Sequence, residues 1–146
     1  MDRAAPAIRE GTVHITEDEV KKAVSDHLVA QGYQVEVAWD RAPGTDIEAT
    51  KKGERLFVEA KGEVALNPQQ HNYFLGALGE LVQRMDDPNA RYGLALPNNR
   101  QYHGLVDRLP ELAKQRFDFV VFWVERGLDG PRVTDASPLG HRPAAR

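Results

Sequence analysis

The sequence predicts an α/β domain, because segments with the apolar spacing of helices alternate with short segments typical of strands. The predicted elements follow the order αβββαβαβ between about residue 16 and residue 124. The 146 residues, of which 41% are hydrophobic and 28% are charged, have the composition of a globular protein with one core. We therefore predict one domain over residues 16–128.

The first predicted helix has signals at both ends. Residues 16–19, Thr-Glu-Asp-Glu, have the form of a capping box, in which side chains satisfy backbone N–H groups of the first turn. Gly32 supplies the stop. Between these ends, apolar residues recur at helical spacing at Val20, Val24 and Leu28.

Three short strands are predicted to follow this helix. Residues 33–39 alternate with a period of two, and residues 46–50 form a second strand after the breaker sequence 42–44. Residues 51–54, Lys-Lys-Gly-Glu, predict a hairpin turn into a strand over residues 56–61. In that strand, alternate side chains share a face, with Leu56, Val58 and Ala60 on one side and Phe57, Glu59 and Lys61 on the other.

The second half of the domain alternates helices and buried strands. A helix is predicted over residues 67–85, followed by a strand over residues 91–96. A helical stretch over about residues 99–116, broken near Pro110, leads to an apolar strand over residues 117–124. The buried stripe of the helix over residues 67–85 is predicted to contain Phe74, Leu78, Leu81 and Met85.

The two ends of the chain lack periodicity and are rich in Pro, Gly, Ala and Arg, so residues 1–15 and 129–146 are predicted to be tails. The first residues contain no apolar stretch like a signal peptide, and the longest apolar run, residues 119–124, is too short to span a bilayer. We expect a cytoplasmic protein without a membrane partner. The absence of cysteine excludes disulfides, thiolate nucleophiles and thiolate zinc sites.

The overall charge does not favour a free-standing nucleic-acid binder. The formal net charge is −3 and the pI is about 5.9, whereas such binders usually carry a basic excess. A metal site concentrates carboxylates in one place, so a protein with a mildly acidic net charge can still have a local basic face. The five histidines lack the spacing of a zinc site, which leaves oxygen ligands and a hard cation such as Mg²⁺.

Three polar residues on two adjacent strands form the candidate site. Because the hairpin makes these strands antiparallel neighbours, Asp46 at the start of one can lie near Glu59 and Lys61 toward the end of the next. Two carboxylates holding a divalent cation neutralise phosphate charge, polarise a phosphodiester and acidify a bound water. Lys61 would position or deprotonate that water. For an isolated Glu-x-Lys pattern, a solvated strand face is the competing interpretation.

The surrounding motifs favour the site over that competing interpretation. Residues 43–47, Pro-Gly-Thr-Asp-Ile, open one strand, and residues 58–62, Val-Glu-Ala-Lys-Gly, end the next, with a helix before and a helix after. Over about residues 17–124 the chain resembles the PD-(D/E)XK nuclease superfamily, which has the restriction-endonuclease-like fold. The resemblance implies an αβββαβ core with a central mixed sheet flanked by helices. It also implies a Mg²⁺-dependent or Mn²⁺-dependent deoxyribonuclease that acts on DNA in repair, recombination or defence against foreign DNA.

The resemblance also assigns roles to individual residues. Asp46 and Glu59 are the implied metal ligands, joined by the carbonyl of Ala60, and Lys61 serves the nucleophilic water. The chain departs from the usual pattern because its proline stands three residues before Asp46 instead of directly before it. This variant is common in divergent branches of the superfamily, and it leaves the branch open.

Many members of the superfamily add a glutamate from the first helix. Glu17 shares the angular face of Val20 and Val24, so we expect Glu17 to be the fourth ligand. Compensation of the helix dipole is the alternative explanation for Glu17. Glu19 instead suits the reciprocal partner of the Thr16 cap, although it is kept as an accessory candidate.

Four further side chains are accessory candidates. Gln69 and Tyr73 match a Gln-x-x-x-Tyr spacing found in exonuclease-like branches, but an exposed first helical turn explains the same residues. Glu48 shares the face of Asp46, and Glu63 shares that of Glu59. Either glutamate could lie behind the metal ligands. Alternatively, both are charged side chains on the solvent-exposed face of a strand.

Two other classes of function stay open. A nuclease-like module that binds nucleic acid or a partner protein and barely cleaves is favoured by the acidic pI and opposed by the intact set of Asp46, Glu59 and Lys61. A structural protein with chance charges is the other class.

Gly76 and Gly79 permit close backbone approach, which predicts either packing of their helix on the sheet or the seam of a homodimer.

Overall fold

A six-stranded mixed sheet lies at the centre of the computed structural model, which describes residues 14–40, 43–65 and 67–139. The helices in these ranges are α1 (Glu17–Ala30), α2 (Asn67–Gln83), α3 (Arg100–Asp107) and α4 (Glu111–Phe117). The strands are β1 (Gln34–Val37), β2 (Ile47–Lys51), β3 (Glu54–Ala60), β4 (Arg91–Pro97), β5 (Val120–Gly127) and β6 (Gly130–Pro138).

The strands lie across the sheet in chain order. β1, β2 and β3 pair antiparallel, whereas β3, β4 and β5 pair parallel and β6 returns antiparallel to β5. Because α2 connects β3 to β4, and α3 and α4 connect β4 to β5, the carboxyl ends of three strands meet at one edge. The predicted αβββαβ order and the mixed sheet flanked by helices are confirmed.

The turn between β2 and β3 matches the prediction from residues 51–54. Lys51 pairs with Glu54, so the loop contains only Lys52 and Gly53. Both loop residues have positive φ, 51° and 84°, as a type I′ turn requires. This short loop fixes the register of β2 against β3, with Ile47 opposite Val58.

Hydrophobic cores cover both faces of β3. Leu56, Val58 and Ala60 belong to the core that contains α1, while Phe57 belongs to the core that contains α2 and α3. The predicted alternation of side chains along this strand therefore agrees with the structure. Because α2 covers the second face, Glu59 on that face is buried and not solvated.

The predicted C-terminal tail over residues 129–146 is wrong for residues 130–138, which form β6. Gly127 pairs with Gly130, so a two-residue loop of Leu128 and Asp129 joins β5 to β6. The strand carries few apolar residues because it lies at the edge of the sheet, where one row of backbone groups has no neighbouring strand. The predicted N-terminal tail is wrong at Ile15, which is buried in the core that contains α1. The predicted tail residues 1–13 and 140–146 lie outside the described residues.

Two predictions for α2 need correction. The helix ends at Gln83, so Met85 lies beyond it and is 37% exposed, while Ala77 is fully buried in the stripe. Packing of the α2 glycines on the sheet is also wrong, because a Cβ built at Gly76 or Gly79 meets no described atom within 4 Å.

The last predicted strand begins three residues later than expected. α4 extends to Phe117, and Asp118 then takes a left-handed conformation with φ of 52° before β5 begins at Val120.

Within the described ranges, no helix has both the length and the apolar character needed to cross a membrane.

Candidate functional site

Asp46 and Glu59 come together where β2 begins and β3 ends. Since Ile47 lies opposite Val58 in an antiparallel pair, the preceding Asp46 lies opposite Glu59. Asp46 Oδ2 accepts a hydrogen bond of 2.8 Å from the backbone N–H of Ala60, and the Asp46 carboxylate is close enough to Glu59 to raise the pKa of that side chain. The strand pairing therefore holds two acidic side chains at one position.

Glu59 is the more deeply buried of the two acids. Its side chain is 2% exposed, and Oε2 has no hydrogen-bond partner among the described residues. Burial, followed by the neighbouring Asp46 carboxylate, raises the pKa of Glu59 to about 8. An ionised Glu59 therefore requires a cation close to Oε2.

Lys61 follows β3 on the same side as Glu59. Its Nζ lies 3.7 Å from Glu80 Oε1 and 5.6 Å from the centroid of the Tyr73 ring, both on α2. Its backbone N–H donates to the Ala95 carbonyl at 3.1 Å, which continues the ladder with β4. The amine thus lies against one face of α2, beside the Glu80 carboxylate, which also raises the pKa of Glu59.

α1 places Glu17 at the other side of the pair. The Glu17 carboxyl lies in the electrostatic field of both Lys61 and Asp46, and burial is the main cause of its raised pKa. The side chain remains 37% exposed. Glu17 therefore lies at the rim of the site, as its angular position on the helix predicts.

Lys21 is a site residue that sequence reasoning missed. Its side chain is 1% exposed, and Nζ lies 3.6 Å from Asp46 Oδ1 and 3.4 Å from Glu17 Oε2. Nζ also donates to the Ala38 carbonyl at 2.6 Å. Lysine on a helix is usually exposed, so the one available signal was its place next to Val20, on the edge of the buried stripe.

Two residues near the C-terminal end of α2 were missed as well, Glu80 within the helix and Arg84 directly after it. Arg84 Nε lies 3.6 Å from Glu59 Oε2, and neither atom has a hydrogen-bond partner among the described residues. Glu80 contacts Lys61 and contributes to the raised pKa of Glu59. Tyr73 and Glu80 lie on one face of α2 at helical spacing, so this face and the residue that follows the helix, Arg84, line the site.

The other accessory candidates lie outside the acidic pair. Glu19 forms the predicted capping box with Thr16 and contacts Arg126 at 3.0 Å. Glu48 contacts Arg55 at 3.1 Å instead of facing the site. Gln69 is exposed in the first turn of α2.

Glu63 does not lie behind the metal ligands either. Its carboxylate makes hydrogen bonds that hold other parts of the fold together. Its Oε1 accepts the backbone N–H of Ile15 at 3.0 Å, and Oε2 accepts from Asn99 Nδ2 at 2.9 Å. Its carboxylate therefore joins the segment before α1 to the start of α3.

Asp46 and Glu59 fit a divalent cation that takes only a few of its ligands from the protein. Among the described residues, no group of three or more His, Asp or Glu side chains is arranged to hold a metal. Mg²⁺, however, is often bound through one or two carboxylates, with waters and substrate phosphates completing its shell. The unpartnered Oε2 of Glu59 supplies one such ligand, and Asp46 supplies the other. In a strand the N–H and C=O of one residue point to the same side, so the Ala60 carbonyl lies on the side of β3 where its N–H donates to Asp46.

The fold has counterparts among solved structures. An XisH family protein from Nostoc punctiforme PCC 73102 is 17% identical, with a TM-score of 0.55, and the match covers 82% of this chain and 99% of that protein. An FdxN element excision controlling factor protein from Anabaena variabilis is 16% identical, with a TM-score of 0.53, over 83% of this chain and 97% of that one. The chain shares its fold with these two proteins. No protein-family model and no curated protein sequence matches the chain.

Proposed function

We propose that this protein is a metal-dependent nuclease that hydrolyses phosphodiester bonds of DNA. The observation that carries the proposal is the buried Glu59, which lies next to the Asp46 carboxyl and two residues before Lys61. Its Oε2 has no hydrogen-bond partner among the described residues. Burying two carboxylates together is unfavourable unless a cation compensates them. A binding function alone would not require this arrangement.

In the proposed mechanism, the acidic pair and the lysine have different roles. Asp46, Glu59 and the Ala60 carbonyl would hold the cation, which when bound polarises the phosphodiester and lowers the pKa of a water. The Lys61 side chain would orient the attacking water, and in its neutral amine form it would accept the proton which that water loses. The Tyr73 ring and the Glu80 carboxylate limit the positions that this amine can take.

The name of one similar structure supports DNA as the proposed substrate. The Anabaena variabilis protein is named as an excision controlling factor of the FdxN element. Excision of an element is a rearrangement of DNA, so DNA is the substrate that we propose here. Repair, recombination and defence against foreign DNA are the processes in which we place the protein.

A second candidate function is a nuclease-like module that binds DNA or a partner protein and barely cleaves. It is favoured by the cations that the fold already holds against the acids, Lys21 at 3.6 Å from Asp46 and Arg84 at 3.6 Å from Glu59. These two side chains compensate part of the buried negative charge without a metal ion. The module would then use the acidic pair as a structural element.

A cleavage assay separates the two functions. The purified full chain is incubated with Mg²⁺ or Mn²⁺ and a panel of linear, circular, single-stranded and branched DNA. Asp46→Asn and Glu59→Gln should abolish cleavage and weaken binding of the cation, because each removes a ligand charge. Lys61→Ala should keep cation binding and slow cleavage by roughly 100- to 10,000-fold.

The matched control is Glu48→Gln, which removes a carboxylate from the same sheet at a position that contacts Arg55. This variant should cleave as the wild type does. If the wild type binds DNA but cuts none of the panel with either cation, and Lys61→Ala binds identically, the nuclease proposal is wrong and the module is favoured.

A further inference from the structure

A polar groove lies beside the candidate site, at the edge where the parallel strands end. It has a volume of about 570 Å³, and its walls are formed by the segment after β3, the first turns of α2 and the helix α3. Ligands of open α/β sheets commonly bind at the carboxyl ends of parallel strands. The lining side chains that bear on its chemistry are Glu63, Gln70, Asn99, Arg100, Gln101 and Arg108.

The groove is fixed in position relative to Lys61. The Tyr102 hydroxyl on α3 donates to the carbonyl of Gly62 at 2.8 Å, and the Tyr102 side chain is fully buried. Gly62 lies between Lys61 and Glu63 in the chain. Two residues of extended chain span at most about 7 Å, so the groove begins within about that distance of the Lys61 backbone.

The charges that face the groove favour an anion. Arg100 and Arg108 are exposed, and in the described part of the chain neither forms an ion pair. The carboxylate of Glu63 is already bound on both oxygens, by the Ile15 N–H and by Asn99, and His14 Nδ1 lies 3.9 Å from it. The guanidinium groups are therefore the charges in the groove that remain available to a ligand.

One wall of the groove is a connected set of amide side chains. Gln70 is 5% exposed and accepts from Asn99 Nδ2 at 3.3 Å, while its own amide donates to Gln101 Oε1. Buried amides that are hydrogen-bonded to one another have few alternative positions. The wall thus presents hydrogen-bonded polar groups next to two exposed guanidinium groups.

We propose that this groove binds the phosphate backbone of a nucleic-acid strand on one side of the bond placed at Lys61. Guanidinium groups match phosphate geometry and can donate two parallel hydrogen bonds to it. The groove then supplies the local positive charge that the net charge of −3 does not provide for the whole chain. The substrate class rests on the proposed function, but the test below measures DNA binding and not cleavage.

The test compares two double variants with the same change in net charge. Arg100→Ala/Arg108→Ala removes the groove arginines, and Arg91→Ala/Arg116→Ala removes two exposed arginines that do not line the groove. The affinity for a fluorescent DNA is measured by anisotropy at several salt concentrations. Each phosphate contact contributes about 0.9 to the salt slope for duplex DNA and about 0.7 for a single strand, so the groove variant should lose roughly 1.4–1.8 from that slope.

The control variant should keep the wild-type slope, and Arg100→Lys/Arg108→Lys should restore most of it because lysine retains the charge. Equal slopes for the groove variant and the control overturn the proposal, as does a wild type that binds no DNA. Unchanged thermal unfolding of the groove variant shows that the loss is not one of folding. If the wild type binds DNA with the expected slope but never cleaves, the nuclease proposal fails while the groove proposal stands.

Discussion

The burial of Glu59 makes the stability of the metal-free protein depend on pH. Burial and the Asp46 carboxylate raise the pKa of Glu59 from its ordinary value of 4.5 to about 8. Between these two values the folded protein keeps a proton that the unfolded chain has released. The free energy of unfolding should therefore fall as the pH rises through this window, by about 1.4 kcal/mol per pH unit and about 5 kcal/mol in all.

Glu59→Gln tests this effect because the amide has the shape of the protonated acid and does not ionise. With a chelator present, the variant and the wild type should have similar free energies of unfolding at pH 5. At pH 8 to 9 the variant should be more stable by several kcal/mol. Urea unfolding at pH 5, 6, 7, 8 and 9 measures the difference.

The control for this series is Glu111→Gln, whose glutamate is 80% exposed. Its stability should follow that of the wild type at every pH. If wild type and Glu59→Gln give parallel curves between pH 5 and pH 9, the protonation of Glu59 inferred from its burial is wrong.

Three further predictions concern the same region. Gly62→Ala would place a Cβ 2.5 Å from the backbone nitrogen at the start of α1, so it should destabilise the fold by roughly 1–3 kcal/mol in urea unfolding, whereas Gly76→Ala should stabilise it by roughly 0.5–1 kcal/mol. Lys21→Met leaves Asp46 without its buried cation and should cost about 3–5 kcal/mol in metal-free protein at neutral pH, and an unchanged melting curve would contradict this. Because a cation displaces the proton of Glu59, the calorimetric affinity for Mn²⁺ should rise about tenfold per pH unit from pH 6 to pH 8, and a flat profile would show that Glu59 is not a ligand.

The position of Asp46 relative to Glu59 followed from local rules. The two-residue turn fixes which residues of β2 and β3 lie opposite each other, and the alternation along β3 fixes which side chains share a face. Both rules act within about fifteen residues of chain, where sequence signals are strongest. The same reasoning placed Glu17 correctly on the inner face of α1.

The cations around the acidic pair could not be predicted in this way. Lys21 and Arg84 reach the pair only because α1 and α2 pack on opposite faces of the sheet, which is a property of the whole fold. β6 escaped prediction for a related reason, since an edge strand needs few apolar residues. Its available signal was Asp129-Gly130, a dipeptide typical of tight hairpin turns.

The central claim is that Asp46 and Glu59 together bind a divalent cation beside Lys61. Diffraction from crystals grown with Mn²⁺, at a wavelength where manganese scatters anomalously, tests this claim most directly. We predict one anomalous peak about 2.1 Å from a carboxylate oxygen of each acid, and its loss in Asp46→Asn. Crystals in millimolar Mn²⁺ that show no peak between these two side chains would contradict the claim.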